Sequence, residues 1–297
     1  MPRVASNGIH LEYERSGPAA GEPMLLIHGV GAQLVRWPQS LCDGLEAAGL
    51  QVIRFDNRDI GLSTFMSDAP VPNIVAAIAA MNRGKTPELP YTLSDMAADT
   101  VGLLDALGIA SAHIVGVSLG GMIAQALAIE HPTRVRSLAI VMSHSGNPDL
   151  PPSDPDALKA LATPAPDPRI DEEAYLRHSV TLNRVIGSPA YPVAEAELRE
   201  FARISARRSY NPAGAARQFA VSRCASDRRA GLRQLQMPAL VVHGTADRLV
   251  PLVAGEDIAR HIPKSWLLTI EGMGHDLPAE LSDVLVSAIA ANARRAR

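Results

Sequence analysis

Short runs of apolar, often β-branched residues recur along the chain, separated by stretches in which apolar positions return every three or four residues. The runs at 24–28, 51–55, 113–117, 135–142, 239–243 and 266–270 have the length and composition of buried strands. Helical spacing fills 41–48, 92–107, 119–129, 253–261 and 278–291, with Thr92 or Ser94 available to cap the second of these. Asn7-Gly8, set between 3–5 and 9–13, predicts a tight hairpin that opens the sheet. Regular alternation of strand and helix predicts an α/β fold, a mostly parallel sheet covered by helices on both faces.

The rhythm breaks once. From about 145 to 235 the chain is rich first in proline and then in helical pattern, without a convincing buried strand. An all-helical interruption of this kind predicts a cap over one end of the sheet, with 1–144 and 236–297 forming the core. A smaller insertion at 70–84 carries the apolar run 74–81 and is expected to pack against that cap.

With 297 residues, 47% of them hydrophobic, the chain can bury a large core, which excludes a disordered or fibrous protein. A formal charge of −3 leaves no overall basic footprint, so nucleic acid is not the expected partner. The arginines at 199, 203, 207, 208, 217, 223, 228, 229 and 233 are expected to lie on solvated helix faces. Cys42 and Cys224 stand far apart with no histidine at ligand spacing, so neither a disulfide framework nor a metal site is signalled. The amino terminus lacks an apolar signal core and no run is long enough to cross a bilayer, which points to a cytoplasmic protein.

The chemistry concentrates at Gly116-Val117-Ser118-Leu119-Gly120. A buried strand here gives way to a helix with no spare residues, so Ser118 must adopt a strained conformation that only small neighbours two positions away permit. Such a turn lifts the hydroxyl clear of the sheet and points the Leu119 N–H at whatever the hydroxyl attacks. A serine needs a base within hydrogen-bond reach, and the base needs a carboxylate to orient it. Asp247 follows the strand at 239–243 and His275 follows the strand at 266–270, so all three leave carboxyl ends of parallel strands, where sites on such sheets form.

The His28-Gly29 turn, the segment Asp56-Asn57-Arg58-Asp59-Ile60-Gly61-Leu62-Ser63, Gly-Val-Ser118-Leu-Gly, Asp247 and Gly-Met-Gly-His275 together resemble the α/β-hydrolase-fold serine hydrolases over nearly the whole chain. The cap, residues 52–59 and the closing Gly-Met-Gly-His-Asp-Leu-Pro look most similar to bacterial carboxylesterases resembling aclacinomycin methylesterase. That resemblance implies Ser118 as nucleophile, His275 as general base and Asp247 as its orienting acid, with no metal or organic cofactor. Backbone N–H groups of Val30 and Leu119 would form the oxyanion hole, Gly31 being the alternative to Val30. His28 is expected to buttress the oxyanion turn, His144 to border the pocket, and Asp56 and Arg58 to form a structural pair beside it.

The expected reaction is hydrolysis of a small-molecule carboxylic ester through an acyl-enzyme. The same triad could instead cut a lactone, an amide or a carbon–carbon bond, or form a peracid as cofactor-free haloperoxidases do. A ligand-binding receptor on the same scaffold is the reading from a different class.

Overall fold

In the computed structural model, which describes residues 2–296, eight strands form one sheet in the order β1-β2-β4-β3-β5-β6-β7-β8. Strands β1 (Arg3–Ser6) and β2 (Ile9–Ser16) make the expected hairpin, turning through Asn7 and Gly8, both at positive φ. β2 runs antiparallel to β4 (Leu50–Phe55). From there the sheet is parallel through β3 (Glu22–Ile27), β5 (Ala112–Val117), β6 (Val135–Val141), β7 (Ala239–Gly244) and β8 (Ser265–Ile270).

Successive residues of a strand point to opposite faces, and the two cores divide on that period. Leu25, Ile27, Ile114, Leu138, Ile140 and Val241 pack on one side, beneath α3 (Leu93–Ala106) and α4 (Leu119–Glu130). Met24, Leu26, Val115, Val117, Ala139, Val141, Leu240 and Val242 pack on the other, beneath α1 (Gln39–Ala47) and α11 (Ser282–Arg294). Full burial on both faces explains why these strands read as continuous apolar runs rather than alternating ones. Thr92, not Ser94, caps α3: its hydroxyl accepts from the Asp95 N–H while the Asp95 carboxylate accepts from the Thr92 N–H.

Between β6 and β7 the chain is helical, as the broken rhythm predicted: α5 (Pro155–Ala162), α6 (Glu172–Ile186), α7 (Glu195–Arg208), α8 (Pro212–Arg223) and the short α9 (Arg229–Leu232). The apolar run at 74–81 is α2 (Ile74–Met81) and packs against α8. After β7, α10 (Leu252–His261) leads into β8.

Two expectations fail at the seam between the sheet and the helical insert. Asp56 and Arg58 do not pair with each other: Asp56 receives Arg208 Nη1 at 2.6 Å, while Arg58 binds Asp99 through Nε at 2.6 Å and Nη2 at 2.7 Å. Residues two apart on this loop face different neighbours, Asp56 the end of α7 and Arg58 the helix α3. Nor are all the late arginines solvated. Arg217 is buried against Asp59 in a two-pronged pair at 2.8 Å, and Arg228 is buried among the carbonyls of His144 and Ser226 and the Gln125 side chain. Burial pulls the Arg228 guanidinium down to about 10. Arg208 departs as well, its side chain only 10% exposed against Asp56. The other six behave as expected: Arg199, Arg203 and Arg229 meet surface carboxylates, and Arg207, Arg223 and Arg233 are exposed. Among the described residues no helix is long and apolar enough to cross a membrane.

Candidate active site

Ser118 sits between β5 and α4 at φ 56° and ψ −118°, outside the regions an L-residue adopts without strain. What over-determines it is close packing. A Cβ on Gly116 would lie 2.2 Å from the Gly120 carbonyl oxygen, and one on Gly120 would lie 2.0 Å from that of Ile27, so neither glycine can carry a side chain. The Ser118 N–H donates to the Val141 carbonyl at 2.9 Å, and its own carbonyl accepts from Ser143 Oγ at 2.8 Å. Hydrogen bonds on both sides thus hold the strained residue to β6 and the loop after it.

His275 Nε2 lies 3.0 Å from Ser118 Oγ, and His275 Nδ1 lies 2.8 Å from Asp247 Oδ2. With Nδ1 donating to the carboxylate, Nε2 is left to accept the serine proton, the tautomer a general base requires. The Asp247 carboxylate is itself fixed, Oδ1 accepting from the N–H groups of Leu249 and Val250 at 2.9 and 2.8 Å. Burial alone would push its carboxyl up; the imidazoles of His275 and His243 and the hydrogen bonds they make outweigh burial and hold it well below the usual carboxylate range. The three residues named from sequence therefore converge, drawn from the ends of β5, β7 and β8.

The helical insert also reaches this site. The His275 N–H donates to the Ile186 carbonyl at 2.7 Å, and Ser188 Oγ accepts from the Gly274 N–H at 2.8 Å while bonding the Asp276 carboxylate. On the opposite side, Gly29 lies over Ser118: a Cβ there would meet Ser118 Cβ at 3.1 Å. The Gly29 N–H donates to His28 Nδ1 at 2.8 Å, and the Gly31 N–H donates to Gln218 Oε1 at 2.9 Å. Between these two engaged donors the Val30 N–H has no acceptor among the described residues.

His28 does brace the turn, with its ring edge-on to Trp37. Burial, then the charges of Arg36 and His275, pull it down to about 3, so it stays a neutral acceptor for Gly29. His144 is half-buried and is pulled down to about 3 by burial, then by Arg228. Sequence reasoning missed His243, which lies fully buried behind the acid, 3.5 Å from Asp247 Oδ2 and 2.8 Å from the Val250 carbonyl. A histidine four residues ahead of the acid, at the end of the same strand, was the available signal. Gln218 gave none.

A second Ser–His–acid set lies at the amino ends of the strands. Ser137 Oγ is 2.8 Å from His113 Nδ1, and His113 Nε2 is 3.7 Å from Glu22 Oε2. Both Ser137 and His113 are buried, and Glu22 also holds Arg136 at 2.7 Å.

Fold and site geometry define a serine hydrolase, and the comparisons with known proteins agree. Residues 22–280 match the α/β-hydrolase fold family, and the chain belongs to it. It is 28% identical to a rhodomycin D methylesterase of Streptomyces peucetius over 99% of this chain and 98% of that one. A putative carbamate hydrolase of Caulobacter segnis is 28% identical over 89% and 88% of the two chains. Among solved structures, a thermophilic esterase of Thermogutta terrifontis superposes with a TM-score of 0.73 at 25% identity, covering 100% of this chain and 99% of that one. The meta-cleavage product hydrolase of Pseudomonas fluorescens superposes at 0.77 with 20% identity over 100% and 98%, a likeness of fold. The chain is thus related to bacterial esterases, methylesterases and carbamate hydrolases, and it is a serine hydrolase of carboxylic-ester type.

Proposed function

We propose that the protein hydrolyses carboxylic esters through an acyl-enzyme on Ser118, and that this site, not the buried Ser137 set, performs the reaction. The observation that carries the reading is the continuous hydrogen-bonded line from Ser118 Oγ through His275 to Asp247. His275 Nε2 takes the Ser118 proton as Oγ attacks the ester carbonyl, and Asp247 stabilises the imidazolium that forms. The tetrahedral oxyanion is held by the N–H groups of Val30 and Leu119. His275 then gives its proton to the leaving alcohol, the acyl group stays on Oγ, and a water deprotonated by His275 releases the acid. Each step moves one proton at Nε2 and needs no other acid or base.

Residues 145–235 act as a cap over a core of 1–144 and 236–297, so the size of the acyl or alcohol group accepted is set by α5 to α8 and by α2. Likeness to the rhodomycin D methylesterase across nearly its full length supports an ester of a small alcohol with a larger acid as the natural substrate class. The test is turnover of p-nitrophenyl and methyl esters by the wild type, Val30→Ala and Val30→Pro. Proline deletes the N–H, so turnover should fall on the order of a hundred- to a thousand-fold while the alanine variant keeps most of it. A folded Val30→Pro protein with near-normal turnover moves the oxyanion donor elsewhere, and Gly31 is an unsuitable replacement because Gln218 already holds its N–H.

A further inference from the structure

The chain that leaves the His28-Gly29 turn is fastened to the helical insert at Gly31 and Gln33. Gly31, at φ +69°, gives its N–H to Gln218 Oε1 on α8 at 2.9 Å. Gln33 Nε2 donates to the carbonyls of Ser205 and Ser209 at the end of α7 at 2.8 and 3.0 Å, and its Oε1 accepts from Arg208. The Leu34 N–H donates to Asp56 Oδ1 at 2.7 Å, and Arg208 binds the other oxygen of that carboxylate. Gln218 is fully buried, and its Nε2 donates to the Arg58 carbonyl at 2.7 Å, so one amide spans the two loops beside the nucleophile.

A buried glutamine has no freedom to rotate once both ends of its amide are engaged, and a glycine in the left-handed region has little stiffness of its own. The turn is closed by the Ala32 N–H on the Gly29 carbonyl at 3.3 Å, a bond that either orientation of its central peptide permits, so the orientation of the Val30–Gly31 peptide, and with it the direction of the neighbouring Val30 N–H, is selected from α8. We propose that Gln218 is a positioning residue for the oxyanion turn, through which the seating of the helical insert sets the rate of the chemical step and not only the choice of substrate. The inference rests on Val30 as the oxyanion donor. Gln218 touches no reacting atom; it acts through Gly31.

The two bonds of Gln218 can be separated. Gln218→Glu keeps an acceptor for the Gly31 N–H but loses the donor to the Arg58 carbonyl, whereas Gln218→Met fills the space and loses both. Both variants should melt lower than wild type. Only Gln218→Met should lose kcat, about ten- to a hundred-fold, a fraction of the loss from deleting an oxyanion donor outright. Its KM should stay within about threefold, and its affinity for a trifluoromethyl ketone that forms the tetrahedral adduct should fall in parallel with kcat/KM. If Gln218→Met does not fold, Gln218→Asn, one methylene too short to span both partners, replaces it with the same expectation. Rates are referred to active sites titrated with an organophosphonate, so partial unfolding cannot imitate slow chemistry. Wild-type kcat in the methionine variant, equal kcat losses in the methionine and glutamate variants, or a loss confined to KM would each overturn the inference. A folded Val30→Pro enzyme at normal turnover would instead end the oxyanion assignment itself, whatever the Gln218 variants do.

Discussion

Ser118–His275–Asp247 and Ser137–His113–Glu22 use the same three kinds of side chain at opposite ends of one sheet, with serine-to-histidine distances of 3.0 and 2.8 Å. By that distance alone they are alike. Ser137 and His113 are directly opposed in the register of β6 and β5, just past an irregularity between Ala112 and His113, so their contact is one cross-strand pair of the parallel ladder. Ser118 belongs to no ladder: it holds φ 56° at the top of β5, half-buried, with the start of α4 behind it and Gly29 across from it. The acids differ as well. Asp247 is anchored by two backbone N–H groups and lies 2.8 Å from its histidine, whereas Glu22 stands 3.7 Å away and shares its charge with Arg136. The trio of side chains is thus not what distinguishes them; a strained backbone, a doubly anchored acid and incomplete burial of the serine set the Ser118 group apart from a buried polar contact.

The largest expected difference between the two sets is in rate. Ser118→Ala or His275→Ala should lower ester turnover by about four to six orders of magnitude, and the double variant should be little worse than either, because the residues act as a unit. Ser137→Ala should keep turnover within about threefold, measured at equal concentrations of folded protein. Comparable losses at both serines, or additive losses at Ser118 and His275, would remove the distinction.

A smaller effect sharpens the same contrast through stability. Glycine tolerates the backbone of Ser118, so Ser118→Gly should be inactive yet more stable by about 1 kcal/mol in urea unfolding. In a strand, glycine brings only its entropy cost and the loss of the bond to His113, so Ser137→Gly should be less stable by roughly 1–2 kcal/mol. Destabilisation by Ser118→Gly would show that the Ser118 turn stores no strain.

What sequence revealed of this site follows from how local each signal is. The Ser118 turn is written within five residues because the clashes that demand glycine at 116 and 120 arise within two positions of the serine or one strand away. The placement of Asp247 and His275 beside Ser118 was legible because each lies in the loop that follows a recognisable strand. The seam with the helical insert was not. The partners Asp56 and Arg208, Asp59 and Arg217, and Gly31 and Gln218 are separated by more than 150 residues, and charge on a helix says nothing of which loop it meets. Arg208, Arg217 and Arg228 escape a reading by composition because most arginines on such helices are solvated, while the carboxylates and carbonyls that compensate their burial come from distant segments. The pairing expected between Asp56 and Arg58 failed for the complementary reason, since proximity in sequence on an irregular loop does not impose a shared direction.

Of the two serines, Ser118 alone is expected to be activated. Treatment with a fluorophosphonate, followed by digestion and peptide mass spectrometry, should find one adduct per chain, on the peptide carrying Ser118, appearing at the rate at which esterase activity is lost. An adduct on Ser137, or full inactivation with Ser118 unmodified, would rule out Ser118 as the nucleophile.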